Sequence, residues 1–172
     1  HTGSSAASDV YKRQIHHDIP PQEFLKYVHT IDLSFMKEDK IMRDELINLD
    51  MEKFIFTNGS AEHAENILSH LGVYDLFGRD KVFDIQDAGY VPKPEAKTFD
   101  LMLNKFKINP KETIYIEDIA KNLSIGHERG CYTVWLINDE HFGKIDSNKD
   151  YISHKIENLS LFLKEIRLLK NR

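Results

Sequence analysis

Cys131 is the only cysteine, so no internal disulfide can form and a cross-linked scaffold is excluded. It precedes an apolar run, where a small buried thiol without reactivity is the expected role. Long hydrophobic runs are missing too. None approaches the roughly 20 residues needed to span a bilayer, and no signal-peptide pattern opens the chain, so a membrane is not an expected partner. Excess positive charge is also absent: 23 Lys and Arg stand against 28 Asp and Glu, a net charge of -5. There is no basic stripe and no alternation of Lys or Arg with aromatics, which argues against a nucleic-acid polymer as ligand. Internal repeats and low-complexity tracts are lacking. These absences make a reducing cytoplasm the simplest expected location.

What is present suits a single domain, or one domain and part of a second: 172 residues with 41% hydrophobic content. The first fourteen residues, HTGSSAASDVYKRQ, are small and polar without a sustained period, and are expected to be an unrelated leader. From Pro20 the pattern changes. Phe24, Leu25, Val28 and Ile31 form one helical stripe, and Met42, Leu46 and Leu49 a second, so two helices precede the first strand. His16, His17 and His29 lack further ligands at metal-binding spacing and are expected to be solvated or helix-packing.

Phe54, Ile55 and Phe56 predict a short strand buried on both faces, as in a parallel sheet covered by helices. It runs into Thr57-Asn58-Gly59-Ser60. Ser60 is placed to cap a helix marked by Ala64, Ile67, Leu68 and Leu71 and ended by Gly72. A hydroxyl, backbone N–H groups and a helix N-terminus together suit a phosphate; an ordinary βα turn with a capping serine has the same pattern. Further strands are expected at Lys81–Asp84, Thr113–Ile116 and Tyr132–Ile137.

Lys93 lies between Pro92 and Pro94, which excludes it from a helix, and Pro94 is expected to start the next one, marked by Phe99, Met102, Leu103 and Phe106. A lysine held there is either a fixed point charge for phosphate or a solvated loop residue. The strand at 113–116 ends in Glu117 and Asp118. Two adjacent carboxylates repel one another. They are relieved either by a hard cation such as Mg²⁺ or by the dipole of the helix that follows, with Leu123, Ile125 and His127 before a stop at Gly130. A last amphipathic helix carries Leu159, Phe162, Leu163 and Ile166.

Taken in order, FIFTNGS, VPKPEAKTFD and YIEDIAKNL resemble the second, third and fourth motifs of the haloacid dehalogenase superfamily. HTIDLSF, FIFTNGSAEHAENIL, LGVYDLF, FDIQDAGYVPKPEAKTFD and Lys121-Asn122-Leu123 are similar to its bacterial pyrimidine 5'-nucleotidase-like branch, over about Ile15 to Ile137. The resemblance implies a three-layer α/β fold, a doubly wound parallel sheet, with residues 15–50 the remnant of a helical cap and 51–172 the core. It implies, for the full-length parent, hydrolysis of a phosphomonoester, a nucleoside 5'-monophosphate, through an aspartyl-phosphate. Thr57 and the N–H of Asn58 would hold phosphoryl oxygens, Lys93 would neutralise charge, and Asp118 with Glu117 would bind Mg²⁺ directly or through water.

The superfamily's first motif, Asp-x-Asp after an apolar strand, supplies nucleophile and general acid/base, and no Asp-x-Asp occurs in the chain. The expectation is therefore a core lacking its first strand, with Asp9 no substitute. That strand would lie between those ending at Thr57 and Glu117. The two neighbours are then expected to face a slot filled poorly by residues 10–14, to pair directly, or to leave a loosely folded chain that associates through bare edges. A non-catalytic phospho-ligand or Mg²⁺-binding protein is the alternative function. Oligomeric state has no sequence signal.

Overall fold

The computed structural model describes residues 32–171. The expected leader, the first expected helix and His16, His17 and His29 lie outside them. The chain divides into two compact units. One runs to Pro92 and takes in Ile166–Arg172; the other is Lys93–Glu165.

The first unit contains helix α1 (Lys40–Asn48), strand β1 (Ile55–Phe56), helix α2 (Ala61–His70) and strand β2 (Val82–Phe83). Helix α1 is capped by the Asp39 carboxylate, which accepts from the Met42 N–H at 2.9 Å. Its Glu45 is buried, and Arg167 neutralises it with two parallel bonds of 2.7 and 3.1 Å. Helix α2 starts as its sequence dictates: the Ser60 hydroxyl accepts from the His63 N–H at 3.1 Å. It is followed by Gly72 at φ +75°, a left-handed turn that glycine adopts without a Cβ penalty.

Strands β1 and β2 pair in parallel, Ile55 opposite Val82 and Phe56 opposite Phe83. The Phe56 and Phe83 rings meet edge to face with centroids 5.6 Å apart. The expectation of a first strand buried on both faces is corrected here. Phe54, Ile55 and Phe56 are half-buried, whereas Val82 and Phe83 are at 0% and 2% exposure. Both strands belong to one two-stranded sheet, so the difference in burial lies in what covers their faces.

The second unit holds helix α3 (Ala96–Phe106), strand β3 (Ile114–Glu117), helix α4 (Leu123–Arg129), strands β4 (Tyr132–Leu136) and β5 (His154–Ile156), and helix α5 (Leu159–Lys170), whose last turn is counted with the first unit. Its sheet is parallel in the order β3-β4-β5, with Tyr115 opposite Thr133 and Val134 opposite His154. Helix α3 begins at Ala96 with Glu95 as its cap residue, two positions later than Pro94 suggests. Residues 93–95 turn before entering the helix, across a cis Lys93–Pro94 bond.

Strand β5 has no counterpart in the sequence reading. Two of its three residues are exposed, and it forms the edge of this sheet, so neither alternation nor an apolar run marks it. Thr133 ties it in: fully buried, its hydroxyl donates to the Tyr151 carbonyl at 2.5 Å and accepts from the Ser153 N–H at 3.1 Å. Direct pairing of the strands ending at Thr57 and Glu117 is not seen among the described residues, since β3 pairs with β4. No helix among the described residues is long and apolar enough to cross a membrane.

Helix α4 packs on β3 and β4, with Leu123 and Val134 wholly buried. The fit is close at Gly126, where a Cβ would lie 2.5 Å from Cδ1 of Tyr115. Alanine has the better helix propensity, but the Tyr115 ring is packed against Phe99 at 5.3 Å and has little room to yield. Gly126→Ala is expected to destabilise the chain by about 1–3 kcal/mol, read from the urea midpoint.

Burial pushes the Cys131 thiol up from its ordinary 9.0 to about 11, and burial first, then the Glu117 charge, raises Tyr115 well above its usual range. Both groups hold their protons more tightly folded than unfolded. The Cys131 contribution to stability is full below about pH 9 and is lost as pH rises through about 11. Chemical denaturation between pH 8 and 11 should show this decline, with a shallower fall for Cys131→Ala. At pH 8 the folded thiol should react with a disulfide reagent about 100-fold more slowly than the unfolded one.

Candidate active site

Thr57 and Asn58 follow β1, and Glu117 and Asp118 lie where β3 ends, at carboxyl ends of parallel strands whose loops lead into helices, while Lys93 lies in the turn before α3. In the first unit the Thr57 N–H donates to the Phe83 carbonyl at 3.0 Å, extending the β1–β2 ladder by one residue. The chain then turns sharply. The Gly59 N–H donates to the Thr57 hydroxyl oxygen at 2.9 Å. Gly59 returns its carbonyl to the Ile85 N–H at 3.0 Å. Asn58 is buried at 2% exposure.

Asp84, singled out by no motif, completes this loop. It sits one residue beyond β2 at 2% exposure, and its carboxylate accepts from the Ala61 N–H at 2.8 Å and the Asp87 N–H at 2.9 Å. The loop is therefore clamped from both ends, and the first turn of α2 has its N–H groups partly answered by Ser60 and Asp84. A carboxylate directly after a short buried strand was the available signal for Asp84.

In the second unit Lys93, Glu117 and Asn122 form one buried network, at 8%, 6% and 4% exposure. Lys93 is no solvated loop residue. Its ammonium donates to Glu117 Oε1 at 2.5 Å, and the Asn122 amide donates to the same oxygen at 2.9 Å. The other oxygen, Oε2, accepts from the N–H groups of Asp118 at 2.9 Å and Ile119 at 3.2 Å. Four donors thus converge on one carboxylate, the condition under which a buried charge pair is tolerated.

The two adjacent carboxyl groups are driven apart. Burial raises Glu117, but the Lys93 charge and hydrogen bonds from Asp118, Lys93 and Asn122 outweigh it and hold Glu117 below the usual range. Asp118 is pushed up to about 6, by burial first and then by the hydrogen bond and charge of Glu117. Glu117 is the anchored anion and Asp118 the group with acid–base freedom.

Asp118 suits a hard divalent cation: it is a carboxyl oxygen donor whose ionisation is opposed by its neighbour and would be favoured by positive charge. Glu117, with both oxygens committed, reaches such an ion only through its effect on Asp118. Among the described residues no group of three His, Cys, Asp or Glu side chains could hold a metal. Water and a substrate phosphate would have to complete the shell.

The family described as haloacid dehalogenase-like hydrolase matches the chain over residues 9–136. The chain belongs to this family. Its fold is similar to that of L-2-haloacid dehalogenase from Xanthobacter autotrophicus, with a TM-score of 0.56 and 14% identity, over 74% of this chain and 63% of that one. The same enzyme with chloropropionic acid covalently bound gives a TM-score of 0.59 at 14% identity, over 86% and 72%. Beta-phosphoglucomutase from Clostridium difficile gives 0.55 at 17% identity, over 86% and 63%. At these identities the likeness shows the Rossmann-like α/β fold of haloacid dehalogenase-like proteins. The chain spans 63% of the length of the first and third of these structures.

Replacing Lys93 by Met should leave the Glu117 carboxylate buried without its cation and cost about 3–5 kcal/mol in urea unfolding. Adding Glu117→Gln to that variant should recover part of the loss, since the uncompensated charge goes with it. A Lys93→Met chain within about 0.5 kcal/mol of the parent would show that the pair does not hold this region together.

Proposed function

We propose that the chain belongs to a Mg²⁺-dependent phosphomonoester hydrolase whose full-length parent acts on nucleoside 5'-monophosphates, pyrimidine nucleotides first, in the cytoplasm. The observation that carries this reading is the buried Lys93–Glu117–Asn122 network with Asp118 beside it, at the end of a parallel strand in a haloacid dehalogenase-like chain. A lysine locked to an anchored glutamate is a cation of fixed position, suited to the charge of a phosphoryl group. Thr57, by the same resemblance, would donate its hydroxyl to a phosphoryl oxygen, while that hydroxyl oxygen accepts from the Gly59 N–H at 2.9 Å. Asn58 would add its backbone N–H.

Mg²⁺, when bound, supplies charge stabilisation to the phosphoryl oxygens. Asp118 would hold it, and Glu117 would keep Asp118 and Lys93 in place. The aspartyl-phosphate of this reading belongs to the full-length parent, since the chain contains no Asp-x-Asp to supply its nucleophile. Resemblance of FDIQDAGYVPKPEAKTFD and its neighbours to the pyrimidine 5'-nucleotidase-like branch supports the nucleotide as substrate. One observation favours a second reading, binding of a phosphorylated ligand without turnover: the chain contains no Asp-x-Asp.

Phosphate release from UMP, CMP, purine nucleotides and sugar phosphates, with Mg²⁺ and with EDTA, separates the two when run beside calorimetric binding of UMP. Mg²⁺-dependent release favouring UMP and CMP supports the hydrolase. Saturable UMP binding without release supports the second reading, and neither release nor binding ends both. Thr57→Val, which removes one hydroxyl donor at nearly constant volume, should weaken UMP binding about tenfold.

A further inference from the structure

Strand β4 leads into a loop whose polar groups turn back to Asp118. The Asp118 carbonyl accepts two hydrogen bonds, from the Trp135 indole N–H at 3.0 Å and from the Asn138 amide at 2.7 Å. Five residues beyond Asn138, the Gly143 carbonyl accepts from the Ala120 N–H at 3.0 Å. The backbone on both sides of the Asp118–Ala120 turn is therefore held by the segment following β4. The loop is itself closed: the Glu140 N–H donates to Asn138 Oδ1 at 3.0 Å, and Gly143 donates to the Glu140 carbonyl at 3.1 Å. Gly143 is buried, and a Cβ there would lie 2.4 Å from Asn138 Oδ1 and 2.6 Å from its Nδ2. A side chain at 143 could be accommodated only by displacing the Asn138 amide, and with it the bond to Asp118.

We propose that the segment Asn138–Gly143 is a positioning strap that fixes the backbone of Asp118, and hence the direction of its carboxylate, for a divalent cation. The proposal rests on Asp118 as the cation ligand. Asn138 and Gly143 are positioning residues: they touch neither cation nor substrate, and act by denying the Asp118 peptide other orientations. The Glu117 bonds fix the same turn through its N–H groups, at Asp118 and Ile119, while the strap fixes it through the Asp118 carbonyl and the Ala120 N–H. With both sets in place the Asp118 side chain is carried on a rigid peptide, the supporting shell that metal ligands require.

The test uses the full chain and Mn²⁺ as a paramagnetic probe, with affinity read from water-proton relaxation and folding from circular dichroism. Asp118→Asn, Asn138→Ala and Gly143→Ala are compared with the parent at a temperature where all are folded. Asn138→Ala and Gly143→Ala should each weaken Mn²⁺ binding about tenfold, the size expected for residues supporting a metal ligand. Gly143→Ala should also speed hydrogen exchange at the Ala120 amide. If Asp118→Asn loses Mn²⁺ while folded strap variants bind like the parent, the strap is overturned and the cation reading stands. If Asp118→Asn binds like the parent, or the parent shows no saturable binding, the cation reading fails and the strap falls with it. Should Asn138→Ala not fold, Gly143→Ala decides the question, since its Cβ displaces the Asn138 amide from the Asp118 carbonyl.

Discussion

The second unit depends on an ion pair that would be a liability if any partner were missing. Lys93 and Glu117 are both withdrawn from water, and an isolated carboxylate or ammonium in that setting costs several kcal/mol. Glu117 is tolerated because each oxygen accepts two N–H donors, and three of those donors come from the five residues that follow it. The strand end and the turn after it thus form a cage for the anion. Lys93 is brought to that cage by a turn that helix geometry could not supply, between two prolines and before the first residue of α3. Local sequence and long-range charge agree at this point, which is the consistency expected of a position that folding must get right.

The cage also sorts two neighbouring acids. Glu117 receives the donors and the cation and stays ionised. Asp118, part-buried beside it, bears the cost of a second negative charge and holds its proton to about pH 6. At neutral pH it is an ionised oxygen donor next to an anion already neutralised by Lys93. Positive charge arriving there meets a group whose own ionisation it assists. The same residues thus explain both why the pair can be buried and why one member remains chemically available.

Legibility in the sequence follows the range of the interactions. Ser60 as a cap, Gly72 and Gly130 as left-handed stops, and the strands near 55, 82, 115 and 134 are set by residues within a few positions of each other. The hydrophobic pattern and turn chemistry find them. Lys93 and the Glu117-Asp118 pair are legible as residues out of place: a lysine fixed between prolines, and like charges side by side. The details that fail are those decided by distant neighbours. Phe54 to Phe56 read as doubly covered but are half-buried, because the covering of a strand's faces depends on distant elements that no local pattern encodes. Pro94 reads as a helix start, but the turn carrying Lys93 delays the helix to Ala96. Strand β5 is invisible because Thr133 and Ser153, twenty positions apart, secure it at an edge with a single buried side chain. The burial of Glu45 rests on Arg167, 122 positions away, which no local pattern shows.

The two loops that carry the candidate residues are built on a common plan, and that plan accounts for the residues that motifs overlook. Each begins where a parallel strand runs out of ladder partners and must turn at once into a helix, leaving backbone N–H groups without helical acceptors. In the first unit those groups are met by Thr57, Ser60 and Asp84; in the second, by Glu117. A polar side chain at such a turn has two demands on it, to satisfy the backbone and to face a ligand, and one carboxylate cannot meet both with the same oxygens. Where Glu117 and Asp84 are spent on the backbone, Asp118 is the acid that holds its proton to about pH 6, and the Thr57 hydroxyl accepts from a single N–H. Neighbouring residues with similar chemistry thereby take different roles, and the division is fixed by which of them the turn consumes.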